Sequence, residues 1–364
     1  MYSFEPNEEQ KMLLDVAKRY AEKDLRPAAH DAEEEREIPE KLISKGWELG
    51  VLQASVPAEY GGFGERSLLT SILAAEAIAW GDLAGAMAVM LPSLFATPVL
   101  ICGSEEQKKE YLPKIVDGDW QPYTAALIEY QFDFDPQALA ATAVEKGGQY
   151  ILNGEKRFVP YAETAEAILV YANLDGKTQG FIVPKGSDGL TIGEKDLLMG
   201  LNAIPFHSLH LDQVKVPKSS RLGGEEGHDF APILDASWVT LSAMAVGMAQ
   251  AAFEYSRDYA KEREVLGSMI AQKQSIAFML AEMATEIEAI RLLTWEAAWM
   301  IDNGVEGASR AAYLAHQGAA DMAMMVTDRG VQILGGHGYI REHPVELWMR
   351  NGRGIYTLTG LALA

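Results

Sequence analysis

The chain has 364 residues, 48% apolar and 23% charged, enough for two or three domains with sizeable cores. Its 52 acidic residues outnumber 31 basic ones, leaving a formal charge of −21. That excess argues against a phosphate backbone or an anionic membrane surface as partner, since both need a basic stripe. One cysteine, Cys102, excludes an internal disulfide framework. The opening MYSFEPNEEQ has no basic stretch followed by an apolar run, so no signal peptide is expected. No window of about 18 uninterrupted apolar residues suggests a membrane helix. A cytoplasmic protein with neither nucleic acid nor membrane as partner is the expectation.

Asn7 with Gln10 forms a capping-box pattern that opens an amphipathic helix through about Arg26. A second helix is expected from Pro39, stopping at Gly50. The polar PAEYGGFGERS then gives way to an almost wholly apolar stretch from Leu68 to Leu100, which reads as buried helix. Ser104 and Gln107 form a second capping box. Near Trp120 the character changes to short β-branched and aromatic runs punctuated by Gly147-Gly148, Asn153-Gly154 and Asp175-Gly176. AILVYAN and QGFIVP flank LDGKT as a hairpin, and HSLHLDQVKVP alternates apolar and polar residues. A compact antiparallel β unit follows from this. After Gly227 helical periodicity returns over Ile233–Tyr259, Met269–Asp302 and Ala308–Leu334. The expected domains are helical 1–120, β 121–226 and helical 227–364.

Local motifs carry little chemistry. GGHGY at Gly335–Tyr339 follows a helix and lacks the full G-x-G-x-x-G spacing, so helix termination competes with a nucleotide role. Gly176-Lys177-Thr178 lacks the leading glycine of a phosphate loop and reads as a turn. His207 and His210, three apart on a strand, point to opposite faces, and no metal site is expected. Cys102 beside a capping box reads as inert.

The α–β–α order, YGGFG at Tyr60–Gly64, GSEEQKKEYLPKIVDGDW at Gly103–Trp120, NGEK at Asn153–Lys156 and the run Arg263–Arg350 together resemble the acyl-CoA dehydrogenase flavoproteins, medium-chain type. The resemblance implies an α+β multidomain fold: an N-terminal helical domain, a central antiparallel β-barrel and a C-terminal four-helix bundle that mediates tetramer formation. It implies FAD lying between barrel and bundle and reaching a neighbouring subunit. In such enzymes a glutamate takes the α-proton of an acyl-CoA thioester while hydride passes to the flavin.

Carried over residue by residue, the neighbour-facing FAD contacts are kept: Arg263, Gln274, Gln332, Gly335 and Gly336. The contacts to a subunit's own flavin are not. Ile128 replaces a threonine, Asp133 and Phe134 replace a Gly-Ser pair, and Pro160 replaces the threonine near the reactive flavin nitrogen. Thr357 stands at the usual base position and Ser237 at the alternative one, where Trp238 also replaces an arginine. Asp235, a substrate-side residue of the family, survives, though an ordinary helix-start Asp fits as well. Glu129 and Asp133 are carboxylates nearby, neither at a family base position.

The resemblance therefore implies no catalytic residue of its own. It implies a non-catalytic subunit of a hetero-oligomer, FAD shared with a paralogous acyl-CoA dehydrogenase subunit, and an acyl-CoA thioester in the complex. Mixed assemblies of this kind, heterotetramers among them, occur in the family for bulky acyl groups such as steroid side chains. Two alternatives stay open: a self-sufficient homotetrameric flavoenzyme with a displaced base, and a non-enzymatic CoA-thioester-binding or scaffold protein.

Overall fold

The computed structural model describes residues 5–364. Helices α1 (Glu8–Tyr20), α2 (Arg26–Glu35), α3 (Glu40–Trp47), α4 (Val51–Ser55), α5 (Leu68–Gly81), α6 (Leu83–Val89), α7 (Ser93–Cys102) and α8 (Glu105–Val116) come first. Both capping boxes form: Asn7 and Gln10 exchange bonds of 2.9 Å, and Ser104 and Gln107 exchange bonds of 3.0 and 3.3 Å. The first helix does not stop at Arg26. A π-helical turn at Ala21–Leu25 leads directly into α2, so the helical path runs on to Glu35. The apolar stretch from Leu68 is three helices, because Asp82 accepts the Gly85 amide at 2.7 Å to start α6 and Pro92 precedes α7.

Seven strands follow: β1 (Tyr123–Ala126), β2 (Thr142–Lys146), β3 (Gln149–Pro160), β4 (Ala167–Leu174), β5 (Lys177–Pro184), β6 (Leu190–Lys195) and β7 (Phe206–Pro217). The antiparallel barrel expected from the sequence is instead a curled mixed sheet of order β1-β4-β2-β3-β7-β6, with β5 also on β4. β1 runs parallel to β4 (Tyr123↔Ala167 to Ala126↔Val170), and β2 meets β4 parallel at Thr142↔Asn173. Alternation along a strand reports its buried face and not its neighbour, so this pairing lay beyond the pattern. The β4–β5 hairpin at Asp175-Gly176 forms as expected. His207 is buried on β7 and His210 exposed, on opposite faces.

The second helical part holds α9 (Ala231–Glu262), a two-stranded hairpin of β8 (Glu264–Val265) and β9 (Ser268–Met269), then α10 (Gln274–Asp302), α11 (Ala308–Leu334) and α12 (Val345–Gly354). Met269, expected at a helix start, lies in that hairpin. α9 is long and apolar enough to cross a membrane by length and composition, yet most of it is buried between helices, as for a core helix.

One apolar core runs through both helical parts, and a second, smaller one lies within the sheet. α5 and α9 pack so closely that a Cβ on Gly247 would stand 2.1 Å from the Glu76 carbonyl oxygen. Asp302, at the end of α10, accepts from the Leu68 and Leu69 amides at 2.8 and 3.0 Å and so caps α5 from the far end of the sequence. Arg291 of α10 pairs with Glu76 of α5 at 2.8 Å. These ties bind the two helical parts to each other.

Candidate functional site

Three places in this fold bear on chemistry. The first lies where β1 leaves the sheet and β3 ends. Lys156 is fully buried on β3, with its ammonium 2.7 Å from Glu129 and 3.1 Å from the Leu127 carbonyl. Glu129 also accepts the Ala140 and Ala141 amides at 2.6 and 2.9 Å. Burial pulls the Lys156 ammonium down to about 8 although the carboxylate opposes this. Glu129 is thus consumed by structure and is not a base in waiting. Beyond it Phe132 is wholly exposed, and the Arg157 guanidinium sits 5.1 Å from the Tyr130 ring.

β3 is irregular at its end. Its register with β7 shifts between Lys156 and Val159, and Phe158 and Tyr161 both take left-handed backbone, at φ 52° and 53°. Bulky residues rarely adopt that conformation. It turns aromatic rings inward: Phe158 meets Phe206 at 6.4 Å and Tyr161 meets Trp120 at 5.4 Å. The recess left beside them, reaching Thr357 and Arg353, has a volume of about 180 Å³. That is below the ~300–1,000 Å³ of ordinary small-molecule sites. Thr357 spends its hydroxyl on the Gly354 carbonyl at 2.8 Å, and the charged residues lining the recess, Arg350 and Arg353, are cationic. Among the described residues, no carboxylate lines this recess.

The second place lies between β1, β4 and the start of α9. Ser237 is buried, and its Oγ accepts the Gly360 amide at 3.0 Å. Asp235 is buried and accepts from the Ser309 hydroxyl; burial raises its carboxyl despite that bond. Trp238 stacks on His316 with ring planes 16° apart. His316 is buried, which drops its imidazole to about 4, and its Nε2 lies 3.4 Å from Thr359 Oγ1. Sequence reasoning missed His316, because a lone histidine inside a helix of alanines carries no spacing signal. The remnant of the cleft is about 10 Å³, about the room that one water needs.

The third place is open. Arg263, Gly335 and Gly336 come together around a recess of about 530 Å³, also lined by Tyr259, Ile270 and His337. The β8–β9 hairpin turns through Leu266 and Gly267, both at positive φ, and the Ile270 amide bonds the Arg263 carbonyl at 2.8 Å. The Arg263 guanidinium has no acidic partner among the described residues. Gly335 ends α11 at φ 58° and ψ −128°, a conformation only glycine takes readily. Gly336 has no such need: its φ is not positive, and a Cβ there would meet nothing within 4 Å. Its bare backbone serves no packing inside this chain. Gln274, the first residue of α10, and Gln332, on the last turn of α11, are both exposed but do not line the recess. Tyr259 and His337 were not singled out from the sequence; the tyrosine hydroxyl lies 2.9 Å from His337 Nδ1 and steadies the ring. An unpaired cation beside bare glycine backbone fits the anionic part of a nucleotide.

Sequence models of the acyl-CoA dehydrogenase N-terminal, middle and C-terminal domains match residues 7–119, 124–214 and 233–361. The chain is 35% identical over 357 residues to an acyl-CoA dehydrogenase of Bacillus subtilis (strain 168), spanning 95% of this chain and 93% of that one. It is 34% identical over 364 residues to the caffeyl-CoA reductase-Etf complex subunit CarC of Acetobacterium woodii, covering 97% and 94%. Its fold is similar to that of butyryl-CoA dehydrogenase from Megasphaera elsdenii, with a TM-score of 0.89, 31% identity and coverage of 100% and 96%.

Proposed function

The chain belongs to the acyl-CoA dehydrogenase family, whose members are FAD-dependent, and from that premise we propose that it is a non-catalytic subunit of a heteromeric acyl-CoA dehydrogenase. The supporting observation is a contrast of two volumes: about 530 Å³ open beside Arg263, against about 180 Å³ beside Thr357. Arg263, Gln274 and the Gln332–Gly336 segment would help hold an FAD seated mainly in a paralogous catalytic subunit. Bound there, FAD supplies the hydride acceptor for α,β-dehydrogenation of an acyl-CoA thioester. This chain's part is positional. The guanidinium would offset diphosphate charge, and Gly336 would let the cofactor approach the backbone. Removal of the α-proton falls to the paralogue, since Thr357 and Ser237 offer hydroxyls where a carboxylate is required.

Purification alone and with a paralogue tests this reading. The lone chain should be colourless, and the co-expressed pair yellow, with one FAD per two chains. Stoichiometric FAD on the lone chain refutes the reading. Reduction of that bound flavin by any acyl-CoA would select the self-sufficient alternative.

A further inference from the structure

We propose that residues 358–364 of this chain occupy its own acyl cleft in place of an acyl group, making the cleft a latent site for an apolar chain. Leu361, Ala362 and Leu363 are each 2–3% exposed. They belong to the same core as Leu94, Leu127, Ile233 and Leu234, and those four, with Gly360 and Leu363, line the remaining 10 Å³. A cleft filled so far has no room for a guest beyond a water molecule.

The segment is held by polar contacts as well as by burial. The Gly360 amide donates to Ser237 Oγ at 3.0 Å, Thr359 Oγ1 meets His316 Nε2 at 3.4 Å, and the Leu361 amide closes a turn on the Leu358 carbonyl at 2.8 Å. Entry depends on glycine. Gly360 sits at φ 79°, and a Cβ there would stand 2.3 Å from Leu127 Cδ2. A β-branched residue there would be strained in the backbone and would crowd Leu127.

A second observation points to what the cleft could take. Tyr171 lines the same remnant, and its buried hydroxyl has no hydrogen-bond partner among the described residues. A buried hydroxyl without a partner is costly, and one polar atom of a ligand entering beside Tyr171 would meet it. Because the non-catalytic reading takes this cleft for the acyl site, the chemical class is an acyl group. The leucine and alanine side chains satisfy the apolar part of that demand and leave the hydroxyl unmet.

The proposal deepens the non-catalytic reading and rests on it only in taking this cleft for the acyl site. Its test involves neither flavin nor partner, so it can fail while the shared-cofactor reading stands. Butyryl-, octanoyl- and dodecanoyl-CoA are titrated calorimetrically into the unaltered chain, into a deletion of residues 358–364, and into Gly360→Val, which expels the segment without shortening it. The unaltered chain should show affinities that differ less than twofold with acyl length. Either variant that keeps native circular dichroism should tighten about fourfold per added methylene, as expected for burying each CH₂. Length-dependent binding by the unaltered chain overturns the proposal, as does length-independent binding by a folded variant. Should both variants unfold, hydrogen exchange of the unaltered chain decides: the Gly360 and Leu361 amides must be protected, and fast exchange there overturns the proposal.

Discussion

Replacing Lys156 by methionine removes one half of a buried ion pair and leaves the other half in place. Glu129 keeps the Ala140 and Ala141 amides at 2.6 and 2.9 Å but loses the ammonium at 2.7 Å, inside a region that water does not reach. Stranding a buried charge in this way costs about 3–5 kcal/mol. The reverse change, Glu129→Gln, should cost less, about 2–3 kcal/mol. The lysine, already drawn down to about 8, sheds its proton once its partner is neutral, and one amide is left facing a donor. The double variant should then lose about 2 kcal/mol less than the sum of the singles. Guanidinium unfolding, followed by both tryptophan fluorescence and far-UV circular dichroism, reads these values, and Lys156→Met should also lower Tm by about 4–7 °C. A loss under about 1 kcal/mol for Lys156→Met, or strict additivity of the two changes, refutes the view that this pair organises the end of β1.

Asp302→Ala removes the distant cap of α5 and should cost about 0.5–2 kcal/mol by the same unfolding measurement, since Ser67 still bonds the Thr70 amide. His316 is neutral in the fold with its pKa held at about 4 against 6.5, so the unfolded chain binds the extra proton between those values. Its contribution is complete above pH 6.5 and is lost as pH falls toward 4, by about 1.4 kcal/mol per pH unit; His316→Phe should flatten the stability profile in that window alone. Arg263→Ala should leave the Tm of the lone chain unchanged, because the guanidinium has no acidic partner there. In the co-expressed pair it should weaken flavin retention about 10- to 100-fold, read as FAD lost on dialysis, if the charged bond it supplies is of ordinary strength.

Local signals were legible wherever the deciding contact lies within a few residues. The capping boxes at Asn7 and Ser104, the Asp175-Gly176 hairpin and the opposed faces of His207 and His210 all depend on neighbours in sequence. The union of Arg263 with Gly335 and Gly336 was legible only through family likeness, since α10 and α11 separate them. The parallel pairing of β1 with β4 was not legible at all: YTAA is buried throughout and carries no alternation. Nor was the fate of TLTGLALA. Its missing carboxylate could be seen at Thr357, but the burial of Leu361 and Leu363 depends on walls supplied by Leu94 and Leu127, hundreds of residues earlier.

The joining of α5 to α9 bears on how this polypeptide is made. Apart from Glu76, α5 is largely apolar all round, and its main cover is a helix that is not finished until Glu262. At roughly 5–20 residues per second on the ribosome, the stretch from Gly81 to Glu262 takes roughly 9–36 s to emerge. Throughout that interval a greasy helix waits without its lid, long enough for nascent chains to stick to one another. Slower translation or warmer growth should therefore cut the yield of intact protein before either alters the finished fold.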